Sequence, residues 1–153
     1  LGSGAIGKGG NINLTSGSVS LTDGAVLIAS TSGQGDAGSI SVQAKDSVFV
    51  ADSNIFSNVA SQGVGKGGDI NINGATLFLK NDAQLSTRVS GASSNQSAGQ
   101  GQAGNVNVNV TGAVTIAGVK NGDRSGIFST LGSGAIGQGG NINVTSGSVS
   151  LTD

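Results

Sequence analysis

Polar and apolar residues alternate strictly in five short stretches, and each stretch follows a Gly-led tetrapeptide: GKGGNINL from Gly7, GDAGSISV from Gly35, GKGGDINI from Gly65, GQAGNVNV from Gly101 and GQGGNINV from Gly137. A period of two sends successive side chains to opposite faces, so each stretch predicts a strand with one buried face. The apolar positions define two inward columns: Ile12, Ile40, Ile70, Val106 and Ile142, then Leu14, Val42, Ile72, Val108 and Val144. A second alternating run follows each of these, in SVSL, SVFV, TLFL, VTI and SVSL. It adds the columns Val19, Val48, Leu77, Val114, Val149 and Leu21, Val50, Leu79, Ile116, Leu151. A third, less regular run, in AVLIAS, NIFSN, AQLST and GIFST, points Leu27, Leu85 and Ile127 inward and leaves Ile55 and Phe56 competing for the equivalent place.

The tetrapeptides are spaced 28, 30, 36 and 36 residues apart. Three short strands per 28–36 residues, joined by TSG, TDG, NG and KND turns, predict an all-β chain wound as a three-sided parallel β-helix, one coil per repeat. The variable lengths fall in SGASSNQSAGQ and AGVKNGDRSG, which are expected as loops leaving the cylinder. A longer period lies over this one. Residues 131–153 repeat residues 1–23 with only Lys8/Gln138 and Leu14/Val144 changed, so residues 1–130 form a four-coil super-repeat and the next copy begins at Leu131. The whole of residues 1–153 is therefore expected to be one continuous solenoid segment, a window onto a longer array. One coil holds too few apolar side chains to offset the entropy of ordering its backbone; stacking pairs every strand above and below and closes the columns into one core.

Composition agrees with strands and turns. Gly fills 29 of 153 positions, Pro, Cys, Met, His, Trp and Tyr are absent, the aromatics are four Phe, and all eight acidic residues are Asp. Seven basic residues bring the net charge to −1, without a basic cluster, which disfavours nucleic acid as a partner. No apolar run approaches the ~20 residues of a spanning helix. Without His or Cys there is no ordinary triad, thiolate or transition-metal set, so an enzyme is not expected; Asp123 and Arg124 share a loop, where adjacent opposite charges usually just solvate a turn. GSGAIG at residues 2–7 and 132–137 matches a dinucleotide fingerprint but precedes a strand rather than a helix, and its glycines are expected instead at positive φ in the corner before the first strand. No cofactor is expected.

Three outward features carry candidate chemistry. The rows Asn11, Ser39, Asp69, Asn105, Asn141 and Asn13, Ser41, Asn71, Asn107, Asn143 can form amide ladders along the axis, or a strip that hydrogen-bonds glycan hydroxyls. Phe49 and Phe78 fall at one outward position of adjacent coils and form an apolar patch, either stacked within the chain or in contact with another fibre or partner. Asp23 and Asp52 occupy turns one rung apart, with Asn81 or Asp82 next; Asx turns explain them, and a Ca²⁺ ion between two like charges is the alternative. The sequons at Asn13, Asn95, Asn109 and Asn143 could accept glycans, and Asn95, in the long loop, is the most accessible.

The segments GIFSTLGSGAIGQGGNINVTSGSVSLTD and DGAVLIASTSGQGDAGSISVQAKDSV resemble the repeat region of filamentous-haemagglutinin-like exoproteins, the cyanobacterial type in particular. The resemblance runs over the whole chain, and its motifs are structural rather than catalytic. It implies a right-handed β-helix exported by two-partner secretion and displayed or shed as an adhesin or fibre. The expected function is thus a non-enzymatic extracellular shaft for adhesion, biofilm matrix or filament formation, associating with itself end to end or along the fibre, with glycans or a host or neighbouring cell surface as further candidate partners. The alternatives are a carbohydrate-binding module and, behind it, a polysaccharide lyase or hydrolase.

Overall fold

In the computed structural model, which describes residues 1–152, the chain contains no helix among those residues and winds as a parallel β-helix. The first sheet stacks Ile12–Ser16, Ile40–Ala44, Ile70–Gly74, Val106–Val110 and Ile142–Thr145. The second stacks Val19–Leu21, Ser47–Ala51, Thr76–Lys80, Ala113–Ala117 and Ser148–Thr152. The third stacks Val26–Ile28, Asn54–Phe56, Gln84–Val89 and Gly126–Leu131. Within each sheet the pairing is parallel, and each strand pairs with its equivalent one coil away.

The register matches the columns read from the alternation. Ile12 pairs with Ile40, Ile40 with Ile70, Ile70 with Val106 and Val106 with Ile142. Val19, Val48, Leu77, Val114 and Val149 align in the same way. In the third sheet Leu27 pairs with Ile55, Ile55 with Leu85 and Leu85 with Ile127, so Ile55 takes the inward place and Phe56 faces out. Packed this way, Ile40, Val42, Val48, Val50, Ile55, Ile70, Ile72, Leu77, Leu79, Leu85 and Val106 are fully buried, with Val108 and Val114 nearly so. Ile12, Leu14, Val19, Leu21, Leu27, Ile116 and Ile127 are partly buried against that core. Ile142 and Val144, read as core from the sequence, lie in register but remain exposed, as do Val149 and Leu151, because no further coil covers them among the described residues.

Beyond the three sides, the Gly-led tetrapeptides form a short ladder of their own. Val64–Lys66, Gln100–Gln102 and Ile136–Gln138 pair in parallel, and single bridges join Ile6 to Gln34 and Gln34 to Val64. Gly7, Gly35, Gly65, Gly101 and Gly137 stack at its centre with φ between 130° and 153°. A Cβ on Gly101 would overlap the Gly65 carbonyl oxygen one rung below, so only glycine allows this close axial approach. The αL corner from the second sheet to the third is another column, Asp23, Asp52, Asn81 and Gly118, with φ of 56°, 52°, 52° and 87°. Asp and Asn are the side chains that tolerate αL best, and Gly118 needs no such tolerance.

The two long insertions leave the cylinder as expected. Residues 119–124 form an antiparallel hairpin of Val119–Lys120 and Asp123–Arg124, and the segment from Ser90 to Gln100 turns back through a bridge between Ser93 and Gln96.

Candidate functional site

The first sheet exposes the Asn rows, and their amides are already engaged along the axis. Asn11 Oδ1 accepts the Ser39 N–H at 2.9 Å, Ser39 Oγ the Asp69 N–H at 3.1 Å, Asp69 Oδ1 the Asn105 N–H at 2.7 Å, and Asn105 Oδ1 the Asn141 N–H at 2.9 Å. These residues stand just before the strands, where each side-chain oxygen satisfies a backbone donor of the next coil. In the second row, Asn107 Nδ2 donates to Asn71 Oδ1 and Asn143 Nδ2 to Asn107 Oδ1, both at 2.9 Å. Asn13 stands in register at the foot of this row, opposite Ser41. The rows therefore act first as stitching between coils, with fewer polar atoms free for a ligand than a row of unengaged amides would offer.

On the second sheet Phe49 and Phe78 are in register, half-buried, with ring centroids 6.3 Å apart and planes tilted by 48°. The Lys80 ammonium lies 5.9 Å from the centroid of the Phe78 ring. The column is interrupted on either side by Ser20 and Thr115.

At the αL corner, Asp52 accepts a short hydrogen bond from the Lys120 ammonium, carried there by the hairpin. This hydrogen bond, reinforced by the Asp52 charge and more weakly by Asp23 and Asp82, raises the Lys120 pKa above its ordinary value of 10.5. A lysine thus answers the negative corner at Asp52, one of the two carboxylates between which a Ca²⁺ ion is the alternative to Asx turns. Among the described residues, no three acidic side chains gather in a group able to hold a metal ion. Asp123 and Arg124 lie in the same hairpin, exposed, with Asp123 opposite Lys120 in the pairing. Asn95 is exposed at the tip of the long loop, whereas Asn13, Asn109 and Asn143 sit on strands of the first sheet.

Two features escaped the alternation. The first is an inward column of hydroxyls on the third side, Ser57, Thr87 and Ser129, with Ala29 in the first coil. Ser57 Oγ donates to the Gly38 carbonyl at 2.8 Å and accepts the Gly68 N–H at 2.9 Å. Ser129 repeats the pattern with Gly104 and Gly140, and Thr87 donates to the Gly104 carbonyl. The last glycine of four of the five tetrapeptides, Gly38, Gly68, Gly104 and Gly140, is thereby fastened to the third sheet from inside. The recurrence of these hydroxyls two residues after Ile55, Leu85 and Ile127, with Ala29 at the matching place after Leu27, is the signal available in the sequence.

The second feature corrects the reading of Phe49 and Phe78 as the apolar patch of the outside. The outer face of the third sheet carries the column Ile28, Phe56, Ser86 and Phe128, flanked by Val26. Val26 and Ile28 are 48% and 56% exposed, and Phe56 and Phe128 half-buried. The Phe128 ring lies over Gly126, where any Cβ would meet it. Ser86 is only 5% exposed at its outward position between the Phe56 and Phe128 rungs.

Comparison with protein-family models, with curated proteins and with solved structures returns no match for this chain. What defines it is its architecture, a parallel β-helix with all-β composition. Among the described residues there is no helix long and apolar enough to cross a membrane.

Proposed function

We propose that this chain is part of the shaft of a non-enzymatic extracellular fibre or adhesin, in which coil stacked on coil extends a stiff rod. One observation carries the reading. Residues 131–152, whose sequence repeats the first coil, are seated on the fourth coil in the parallel register used throughout, with Val106 opposite Ile142 and Val114 opposite Val149. A repeat that stacks on its predecessor in this way can be continued without limit, because each new copy presents the same columns to the next. The inter-coil side-chain ladders support a mechanical role, since they add axial hydrogen bonds to those of the sheets. The resemblance to filamentous-haemagglutinin-like exoproteins supports display at a cell surface after two-partner secretion, with adhesion or matrix formation as the use of the shaft.

Arrays of one to four copies of the 130-residue repeat, imaged by electron microscopy, test the reading. Rod length is expected to grow by about 19 Å per copy, four rungs of ~4.8 Å each. Compact particles whose length does not follow copy number would refute it.

A further inference from the structure

The outer face of the third sheet is unlike the other two. The first is covered by Asn, Ser and Asp, and the second bears a Phe pair that stacks on itself beside Lys80. The third carries Ile28, Phe56 and Phe128 at three of four rungs in one column, with Val26 alongside. Its strands hold a single charged residue, Arg88. Nothing in the described chain folds over this face; Val26 and Ile28 stay about half exposed, in part because their strand is the edge of the sheet with a coil on one side only, while Phe56, paired on both sides, still keeps its ring at the surface half-buried.

We propose that this stripe is the lateral contact between shafts, and that its partner is a second copy of the same chain laid alongside. The inference rests on the reading of the chain as a shaft. Two arguments select a second copy. The first is period: a super-repeat of 130 residues returns the stripe every ~19 Å, and a partner with the same axial recurrence meets it at every return. A globular partner would cover it once. The second is area. A fully buried aromatic side chain contributes roughly 150–250 Å², so two half-buried rings and two aliphatic side chains offer on the order of 300 Å² per repeat. That is within what a monomer ordinarily exposes, and well short of the ~800 Å² per partner of a stable interface. One repeat is therefore too small to pair, and about three in series are enough. Serial contacts on a rigid rod act together, so association should rise steeply with repeat number rather than in proportion to it.

The test counts single and paired rods by electron microscopy and sedimentation, for arrays of one to four repeats, with and without Ile28→Thr and Phe56→Thr in every copy. Threonine keeps the strand propensity of these outward positions. Unchanged arrays should remain single at one repeat and associate side by side from about three. The double substitution should raise the concentration needed for pairing at least tenfold while rod length and melting temperature stay as they were. A second variant, Phe56→Lys, should keep rods single by placing like charges along the seam, and should pair again at high salt less readily than the unchanged array. The Phe49→Ser, Phe78→Ser variant should bundle like the unchanged protein. Bundling indifferent to Ile28 and Phe56, or abolished by the Phe49 and Phe78 changes, overturns the proposal while leaving the shaft intact. Arrays that form no rods overturn the shaft reading itself, and the lateral contact with it.

Discussion

The Ser57 hydroxyl is fully buried, yet both of its hydrogen-bonding roles are filled, toward the Gly38 carbonyl and from the Gly68 N–H. It joins two consecutive coils and two sides of the cylinder through one atom. Ser57→Ala leaves the Gly68 N–H without that acceptor in a dry site, so a loss of about 1–3 kcal/mol is expected from urea unfolding. Ala29 shows the local alternative: there the alanine's own carbonyl accepts the Gly38 N–H at 2.9 Å, and a similar adjustment would hold the loss near the lower end. A rise in stability would remove the fastening role assigned to the hydroxyl column. These residues were hard to read from the sequence because a Ser or Thr at an inward position looks like a break in the apolar alternation. That break is why the third run appeared irregular. The aliphatic columns were legible for the opposite reason: burial of Ile, Leu and Val is enforced by water at every rung, and needs no partner beyond its own kind.

Among the elements, the hairpin of Val119–Lys120 and Asp123–Arg124 is the part least supported by the stack, since its residues are all exposed and it pairs only with itself. Its tie to the cylinder is the Lys120 ammonium on Asp52. The Lys120 pKa is raised in the folded chain by that contact, so the tie is complete at neutral pH and is lost as pH climbs through the raised value, above 10.5. Amide protection at residues 119–124, taken relative to the intrinsic exchange rate that itself rises with pH, should therefore fall above that pH while the sheets stay protected. Lys120→Gln should show the lower protection already at neutral pH and no further fall in protection on alkalinisation. An unaltered hairpin in that variant would mean that the turn holds itself in place. The sequence marked this segment as a loop through its length and its Asn-Gly pair, but the lysine's partner lies 68 residues away, beyond any local pattern. The short glycine ladder was likewise visible only as a corner. Its pairing depends on five glycines superposing along the axis, which their place at the head of every tetrapeptide suggests but alternation, needing side chains, cannot reveal.

For the whole molecule, position along the stack decides what a side chain contributes. Leu21 and Leu151 are equivalent by sequence, and Leu151 lies above Ile116 in the column that also contains Val50 and Leu79. Leu79 is fully buried and Leu151 is 69% exposed, so the difference comes from neighbours rather than from the residues. Truncating Leu79 to Ala should cost about 2–5 kcal/mol, whereas Leu151→Ala in this chain should cost under about 1 kcal/mol. If the repeat extends the rod as proposed, adding one more 130-residue copy changes that second value. The strand equivalent to Ser47–Ala51 would then cover Leu151 as it covers Leu21 here, and the cost of truncation should rise into the range found for Leu79. The measurement is a pair of denaturant titrations of Leu151→Ala, in the chain as it stands and in the chain lengthened by one copy. A cost that rises with the added copy means that both coils share one core. A cost that stays low in both means that the copies fold as separate bodies, and the continuous shaft is lost.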